Sequence, residues 1–558
     1  MSSETLMSTG ATESPAHPGA HNQTDVFAVH GADPEVLAYA MAKYSRSALS
    51  MRESLAEISA QRAEQFLNTF YFQYGHRSIA DLAHIAFAVE RLSLLAAIVL
   101  VDEQRWDGQE RSTRYQNFLK SGWYMPDFGA DAGSASLYAE TVENLFAAYE
   151  RTSAAVLAAL KERVARPETM KPEAYERTLK ARAFDVARYL LPLATNTSLG
   201  QIVNARTLET QVSRLLSHPA AEVRELGRKL REAATGPAWC VSGQAGAALA
   251  QAIGELEASC QGTTSVVPNA AHKGSGALAP EGTLAAQAEA LLTREVRTAP
   301  TLVKHAEANA YLMETRTLLE QAAGELLKGV AIAPAPLVDL VERTETLEVE
   351  LAATLMYWAS DHPYRQVRDV VAGLSDARVN EIIELGLRKR GRHDEALRPF
   401  HAGAALRFDI LMDVGGFRDM HRHRRCVQIR QGFTARHGYE TPESGDAAGL
   451  AEAGMLDDYR LTVERAHAAS AQIAAASAPE AAVSALYVLP LATRVRCLFK
   501  MDFAEAQYIS ELRSAPAGHF SYRRVAWEMY RALERQHPSL AKYVRVTDFE
   551  EPIDLLQR

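Results

Sequence analysis

The sequence predicts an α+β protein that consists of two related halves. Residues 85–92 and 406–414 have the hydrophobic pattern of short strands, whereas helical periodicity covers most of the remaining chain. The segment Leu191-Pro-Leu-Ala-Thr195 recurs as Leu489-Pro-Leu-Ala-Thr493 at the same stage of each half, which indicates an internal duplication. The helical pattern is found at residues 34–72, 134–165, 172–190, 204–234 with an interruption before Pro219, 302–390 and 445–481.

Short helices are predicted directly after the two strands. In the first half, a helix starts at Ser93 and runs to about Leu100. In the second half, Gly415 and Gly416 interrupt the pattern, and a short helix is predicted at residues 417–424. Such a helix presents the cationic side chains that follow at its C-terminal end.

Length and local composition predict the domain boundaries. A chain of 558 residues is too long for one ordinary hydrophobic core, so at least two domains are expected. Residues 236–300 are rich in Ala, Gly, Ser and Thr, which is typical of a linker. The predicted order is a disordered tail at 1–25, a first domain at 26–235, a linker at 236–300 and a second domain at 301–558.

Composition excludes several classes of function. The net charge of -9 argues against a general nucleic-acid or membrane-surface binder. No apolar run reaches the roughly 18 residues that a membrane span needs, and residues 1–25 lack the apolar core of a signal peptide. The four cysteines have neither disulfide nor zinc-ribbon spacing. The expected compartment is therefore the cytoplasm, and no metal site is predicted.

A cationic segment, residues 418–425, is the strongest local signal. It contains Arg418, the run Arg422-His423-Arg424 and Arg425, with His421 beside them. Arginine suits phosphate and carbonyl oxygens because its planar fork donates hydrogen bonds in pairs. The alternative is an ordinary solvated basic surface. A metal pair at His421 and His423 lacks a third ligand at suitable spacing.

Together with a loop in the first half, this run resembles the flavin-dependent thymidylate synthases of the ThyX type. That family has Arg-His-Arg and, seven residues later, the Ser of a Glu-x-Ser-x-Arg-Tyr loop. The second half supplies Arg422-His423-Arg424, and the first half supplies Glu110-Arg111-Ser112-Thr113-Arg114-Tyr115. The resemblance covers about residues 26–235 and 300–545.

Each half keeps motifs that the other half has lost. The Arg-His-Arg position of the first half holds Asp102-Glu103-Gln104, and the Ser position of the second half holds Gly432 between Arg430 and Thr434. At three further family positions the halves also differ. The first half has Arg188, Asn204-Ala205-Arg206 and Leu215, and the second half has Leu486, Asp502-Phe503-Ala504 and Arg513 at the corresponding places. Complementary losses of this kind predict one composite site made from both halves.

The resemblance implies two sets of binding residues. The set for deoxyuridylate (dUMP) is Glu110, Arg111, Ser112, Thr113, Arg114, Arg188, Arg422 and Arg513. The set for FAD is His76, Ser78, Asn204, Arg206, Arg422, His423 and Arg424. The alternatives for single residues are a turn serine at Ser112, a helix N-cap at Asn204, an exposed helix-end histidine at His423, a loop cap at His76 and Ser78, and surface ion pairs for the arginines.

The implied fold is two tandem ThyX-like domains, each a small sheet flanked by long helices. The implied activity is the methylation of dUMP with methylenetetrahydrofolate, with FAD as cofactor and NADPH as reductant, in a homodimer that forms a pseudo-tetramer. Modification of another pyrimidine nucleotide and non-catalytic nucleotide binding remain alternatives. One nucleotide and one FAD per chain are expected, because Asp102 and Glu103 would repel an anion at the opposite pairing of the halves.

Overall fold

The computed structural model describes most of the chain. The predicted tail at 1–25 and the loop residue His76 lie outside the described part. The described residues are 27, 29, 31–43, 50–57, 67, 77–103, 105–241, 243–260, 292, 294–341, 346–391, 394, 397–400, 406–442, 449–478, 480–541, 544–551, 554 and 556.

Helices dominate both halves. The first half and the segment after it contain α1 Pro34–Lys43, α2 Met51–Glu57, β1 His84–Ser93, α3 Leu94–Leu100, β2 Asp107–Glu110, α4 Ala132–Arg163, α5 Pro172–Ala187, β3 Asn196–Asn204, α6 Ala205–Leu216, α7 Ala221–Thr235 and α8 Gly243–Cys260. The second half contains α9 Ala310–Leu326, β4 Val338–Leu340, α10 Leu347–Trp358, α11 Tyr364–Ala372, α12 Asp376–Leu387, β5 Leu406–Asp413, α13 Val414–Met420, β6 Val427–Arg430, α14 Leu456–Ala474, α15 Ala481–Ser484, β7 Arg494–Met501, α16 Phe503–Ser514, α17 Phe520–Gln536 and α18 Pro538–Ala541.

Most of the predicted elements that bear on the site are confirmed. Strands β1 and β5 lie within one residue of their predicted ends, and the helix after Ser93 is α3. The Ser93 hydroxyl caps this helix by accepting a hydrogen bond from the Ala96 N–H at 2.9 Å. The interruption before Pro219 is also found, because α6 ends at Leu216 and α7 begins at Ala221.

Several predicted helix boundaries are wrong, and the predicted helical ranges 302–390 and 445–481 include residues 327–341 and 449–455, which are not helical. Gly415 and Gly416 do not break the chain but form the first turn of α13, which ends at Met420 and not at residue 424. The reason is Asp413, whose Oδ1 accepts from the Gly416 N–H at 2.6 Å and so starts the helix early. Similarly, residues 302–309 are not helical, since Asn309 is the N-cap of α9. Within the segment predicted as a linker, residues 243–260 form α8.

Each half contains an antiparallel sheet with an equivalent central strand. In the described part of the chain, the first sheet has the order β1-β3-β2 and the second has the order β4-β5-β7-β6. Strand β3 leads directly into α6, and β7 leads into α16. The two halves therefore place corresponding helices at corresponding sheet edges, as the duplication predicts.

The repeated segments pair with each other. The N–H groups of Leu193 and Ala194 donate to the carbonyls of Leu489 and Tyr487 at 2.8 and 2.7 Å. In return, Leu491 and Ala492 donate to Leu191 and Tyr189 at 2.8 and 3.0 Å. One hydrophobic core runs through this junction and includes side chains from both halves. The duplicated halves thus fold against each other within one chain.

A second, smaller core belongs to the second half alone. It packs α9 to α12 against the sheet through side chains such as Leu319, Met356 and Ile382. None of the helices in the described ranges is both long enough and apolar enough to cross a bilayer.

Candidate functional site

The junction of the halves brings the loop after β2 against α13. Nη2 of Arg418 lies 2.7 Å from Oε2 of Glu110, and both side chains are only 6% exposed. The guanidinium of Arg424 lies 4.3 Å from the centroid of the Trp106 ring. The cationic segment of the second half therefore meets the motif loop of the first half in a single chain. We call Glu110, Ser112, Arg114, Arg188, Asp419, Arg422, His423 and Arg513 the composite cluster.

Arg114 ties the motif loop to the second half. It is 6% exposed, and its Nε lies 2.8 Å from Oδ1 of Asp185. It also donates to the Tyr522 hydroxyl at 2.7 Å and to the Ala517 carbonyl at 3.1 Å. Burial alone would lower the pKa of Arg114, but Asp185 and Tyr522 outweigh burial and raise it. The guanidinium is therefore a fixed cation held between the halves.

Arg188 is buried with unused hydrogen-bond donors. It is 1% exposed, and its Nη1 lies 3.2 Å from Oδ2 of Asp419 and 3.5 Å from Oγ1 of Thr113. Within the described residues, neither Nε nor Nη2 of Arg188 has a partner. Buried donors are nearly always satisfied because leaving them unpaired is costly. These two N–H groups are suited to an anionic ligand.

Asp419 is a member of the cluster that no sequence motif indicated. Burial raises the pKa of this carboxyl, but Arg188, Arg114 and Arg422 together outweigh burial and hold the pKa below its usual value. Asp419 is therefore ionised and orients the Arg188 guanidinium. Asp185 and Tyr522, which hold Arg114, were also missed, because neither occupies a motif position although Asp185 is close in sequence to Arg188 and Tyr522 to Arg513.

His423 is a neutral hydrogen-bond acceptor. Its Nε2 accepts from Nε of Arg513 at 2.7 Å. The side chain is 5% exposed, so the alternative of an exposed helix-end histidine is wrong. Burial, together with Arg513, lowers the pKa of His423 to about 3. Its Nδ1 lies 3.8 Å from Oε1 of Glu505 on α16.

The cluster carries an excess of positive charge. Arg114, Arg188 and Arg418 are paired with Asp185, Asp419 and Glu110. Arg422 is exposed, and neither it nor Arg513 forms an ion pair with a carboxylate among the described residues. Two cations thus remain for a ligand of charge about −2, which is the charge of a phosphate monoester near neutral pH.

Two other predicted substrate residues have local contacts. Arg111 turns back on its own loop, where it donates to Gln116, Ser121 and the Asn117 carbonyl and lies 4.3 Å from the Phe118 ring centroid. Its guanidinium therefore orders the loop. Thr113 is buried beside Arg188, and the Ser112 hydroxyl accepts from the Arg114 N–H at 3.2 Å.

The structure divides the predicted FAD set between two places. Arg422 and His423 belong to the composite cluster, next to α16, and Arg424 follows them in the chain. Asn204 caps α6 by accepting from the Thr207 N–H at 2.8 Å, and Arg206 lies 3.3 Å from Asp81 on the wall of a separate cavity. Ser78 lies in the 3₁₀ turn Arg77–Leu82.

The cavity lies where the opposite pairing of the halves was expected. Its volume is about 820 Å³, and its lining includes Asp102, Glu103, Arg430 and Gly432. Both carboxylates are neutralised: Arg398 pairs with Asp102, and Nη2 of Arg214 lies 2.7 Å from Oε1 of Glu103. The expectation of two uncompensated carboxylates at this position is therefore wrong.

The electrostatics of the two carboxyls reflect these partners. Burial raises the pKa of Asp102, but Arg398, His421 and Arg214 outweigh burial and lower it. For Glu103, burial dominates and raises the pKa despite Arg214. The pairing of Arg398 with Asp102 was missed because the two residues are 296 positions apart and Arg398 belongs to no motif.

Comparisons with known proteins agree with the duplication. The family model described as thymidylate synthase complementing protein matches residues 28–236 and 339–539. A UPF0159 protein of Chlamydia muridarum is 26% identical over 558 residues, which cover 93% of this chain and 91% of the relative. A UPF0159 protein of Thermoplasma acidophilum is 24% identical over 551 residues, 91% of this chain and 94% of the relative.

Two further comparisons match a smaller part of the chain. A flavin-dependent thymidylate synthase of Clostridium tetani is 28% identical over 177 residues, 32% of this chain and 67% of the relative. A solved structure of ThyX from Helicobacter pylori, complexed with FAD and dUMP, is 17% identical with a TM-score of 0.24 and covers 36% of this chain and 89% of that chain.

Fold and site together define a tandem α+β protein whose halves jointly build a cationic, partly buried cluster. Because the family model matches both halves and more than half of the residues, the chain belongs to the thymidylate synthase complementing protein family, also called ThyX. No group of three metal-ligating side chains occurs in the part of the chain that the structure describes.

Proposed function

We propose that this protein is a FAD-dependent thymidylate synthase, which converts dUMP to dTMP with methylenetetrahydrofolate and NADPH at the composite cluster. The observation that carries the proposal is the meeting of complementary motif residues in one chain. Arg422 and Arg513 come from the second half, and Ser112, Arg114 and Arg188 come from the first. Membership of the family and the similarity to the Clostridium tetani synthase support it.

The chemistry of the cluster suits a nucleoside monophosphate. The unpaired Nε and Nη2 of Arg188 among the described residues, together with Arg422 and Arg513, supply cationic donors for phosphate or uracil oxygens. Ser112 and Thr113 add hydroxyl groups at the same loop. Because Arg114 and Arg188 are held by Asp185 and Asp419, the donors are ordered before the ligand binds, which reduces the entropic cost of binding.

Arg422 and His423 of the cluster, together with Arg424, also suit a flavin. Arg422 and Arg424 provide cations, which stabilise a reduced, anionic flavin ring. His423 is neutral and buried, and Arg513 fixes its orientation through the 2.7 Å hydrogen bond. When bound, FAD would supply the hydride and one-carbon transfer. The chain itself would bind the nucleotide, orient it and exclude water, and neither Cys426 nor Cys497, both buried, would act as a nucleophile.

A second candidate is the same chemistry on an aminopyrimidine nucleotide. The observation that favours it is Asp419, an ionised carboxylate within a site that is otherwise built of donors. A carboxylate accepts hydrogen bonds from the exocyclic amino group of cytosine, as it does in nucleic-acid recognition. Binding of dCMP in preference to dUMP would support this second candidate over the first.

Complementation of a thymidine-requiring bacterium tests the proposed activity. We expect growth without thymidine from the wild-type gene and none from Arg188→Gln, which keeps a polar side chain but removes the charge. The purified protein should be yellow and should convert dUMP to dTMP only when the folate, NADPH and FAD are all present. Bound flavin without dTMP formation from dUMP would reject thymidylate synthesis and leave the second candidate for testing.

The oligomeric state is part of the same proposal. One chain already contains two paired family domains, so a homodimer would reproduce the family's four-domain assembly as a pseudo-tetramer. Light scattering that gives a monomer mass for active, flavin-loaded protein would reject this arrangement.

A further inference from the structure

The large cavity is a built feature and not a remnant of the second family site. It is about 820 Å³ in volume, which falls in the range of roughly 300–1,000 Å³ that is usual for small-molecule sites. Its walls come from α3, α6, the segment 305–316 and residues 428–432. Like the composite cluster, it is lined by residues of both halves. Its lining includes Asp102, which corresponds to Arg422, and Gly432, which corresponds to Ser112.

Arg430 gives this cavity a partly buried cation. Its guanidinium lies 4.2 Å from the Phe433 ring centroid, and Nη1 donates to the Gln431 carbonyl at 2.6 Å. No described carboxylate forms an ion pair with Arg430, whereas Arg398 and Arg214 are paired with Asp102 and Glu103. Burial lowers the pKa of Arg430 and outweighs the opposing effects of Cys497 and Asp102, while the guanidinium groups of Arg316 and Arg398 add to the lowering. An anion beside Arg430 would relieve this repulsion.

An apolar wall accompanies the cation. The guanidinium of Arg316 lies 5.0 Å from the Trp358 ring centroid, so the indole is held at the cavity. Burial, with Arg214 and Arg316, lowers the pKa of His218 to about 3, so this lining residue is neutral and adds no charge. The other large apolar lining residues include Leu312, Leu397, Phe417 and Ile429.

We infer that this cavity binds an organic anion with an aromatic body, whose phosphate or carboxylate group pairs with Arg430 and whose ring contacts the wall formed by Trp358. The inference does not depend on the reaction at the composite cluster. It replaces the expectation that this pairing of the halves binds nothing, since the two carboxylates that would repel an anion are neutralised by Arg398 and Arg214.

The test uses FAD as the phosphate probe and folate as the carboxylate probe, with binding measured by equilibrium dialysis on the full-length protein. We expect Arg430→Gln to weaken the binding of at least one probe by tenfold or more, and Arg430→Lys, which keeps the charge, to weaken it less. Arg436→Gln, at an exposed arginine that pairs with Asp361 outside both the cavity and the composite cluster, is the matched control and should leave the binding of both probes unchanged. Quenching of tryptophan fluorescence by the probe should decrease in Trp358→Phe.

The outcomes separate the two ligand sources and the two sites. Sensitivity of FAD alone to Arg430→Gln identifies a nucleotide ligand, and sensitivity of folate alone identifies a carboxylate ligand. Equal affinities of wild type and Arg430→Gln for both probes, or no binding of either probe, would overturn the inference. The affinity for dUMP should be the same in Arg430→Gln and wild type, and a parallel loss of dUMP binding would show that the cavity is not a separate site.

Discussion

The composite cluster and the cavity occupy corresponding positions in the two halves, yet they carry different charges. At the cluster, Arg422-His423-Arg424 of the second half faces the loop with Glu110 and Arg114 of the first. At the cavity, the corresponding residues Asp102 and Glu103 line the wall together with Arg430 and Gly432. The two positions correspond in the fold. Helix α3 begins at the end of β1 and precedes Asp102, and helix α13 begins at the end of β5 and precedes Arg422.

The difference shows what a tandem duplication permits. In a symmetric homo-oligomer every interface is formed by the same residues, so one sequence must serve each copy of a site. Once the two halves are joined, each position of a pair can change independently. Here the composite cluster has a surplus of arginine. The cavity instead has the acidic residues Asp102 and Glu103, which pair with Arg398 and Arg214.

The largest expected effect comes from Arg114→Ala. This change removes the buried ion pair between Arg114 and Asp185 and the bonds to Tyr522 and Ala517, and breaking a buried ion pair typically costs about 3–5 kcal/mol. The free energy of unfolding in urea should fall accordingly, and dUMP binding should be lost. The counterpart substitution Thr434→Ala should change neither, and equal damage from both would reject the specialisation of the halves.

Next in size is the loss of dUMP affinity in Arg513→Ala. Removing one charged contact to a buried anion costs roughly 2–5 kcal/mol, or about 30-fold or more in the dissociation constant. Titration calorimetry with a non-reactive dUMP analogue measures this effect. Arg214→Ala, on the corresponding helix α6, should leave the dUMP affinity unchanged because Arg214 pairs with Glu103 at the cavity.

A smaller effect is expected on flavin content. Arg422 is exposed, so Arg422→Ala should fold normally but bind less FAD or reduce it slowly. Arg424→Ala should have a weaker effect, because Arg424 is already held by Trp106 and Asp107. Absorbance of the flavin released on denaturation measures the content. Full flavin loading and full activity in Arg422→Ala would contradict the role assigned to this run.

The number of bound nucleotides sharpens the comparison further. One dUMP per chain is expected, because Leu215, which corresponds to Arg513, is buried in the core and does not line the cavity, and Asp102 stands where the cluster has Arg422. The same calorimetric titration gives this ratio. A value near two would mean that the cavity still accepts the substrate of the cluster.

Counted for one histidine and one pH unit, the smallest effect is a loss of stability in acid, which both regions share. Burial lowers the pKa of His423 in the cluster and of His218 in the cavity to about 3, below the ordinary value of 6.5. Below pH 6.5 the unfolded chain therefore binds protons that the folded chain does not, so the free energy of unfolding should decrease as the pH falls from 6.5 towards 3. Each histidine contributes about 1.4 kcal/mol per pH unit at most.

Urea unfolding between pH 7 and 4 tests this shared property. His423→Asn and His218→Asn should each reduce the slope of stability against pH. An unchanged slope in both variants would mean that these imidazoles are not held neutral in the folded protein.

The sequence by itself determined the elements and the motif sets. The pattern of Ile85–Leu92 and Leu406–Val414 predicted the strands, and the repeated Leu-Pro-Leu-Ala-Thr segment predicted the duplication. These inferences succeed because hydrophobic periodicity and a repeated segment can each be recognised from a few consecutive residues. Even so, the start of α13 was misplaced, since two glycines outweighed the capping signal of Asp413.

Only the tertiary structure decided which residues meet. Glu110 pairs with Arg418 across 308 positions, Arg114 reaches Tyr522 across 408, and no local pattern encodes either distance. Asp419 and Arg398 became visible only as partners of buried arginine and aspartate. The pairing of the two repeated segments brings the halves together, and burial in that junction makes each charge depend on its neighbours, so the cluster and the cavity follow from packing and not from the motifs alone.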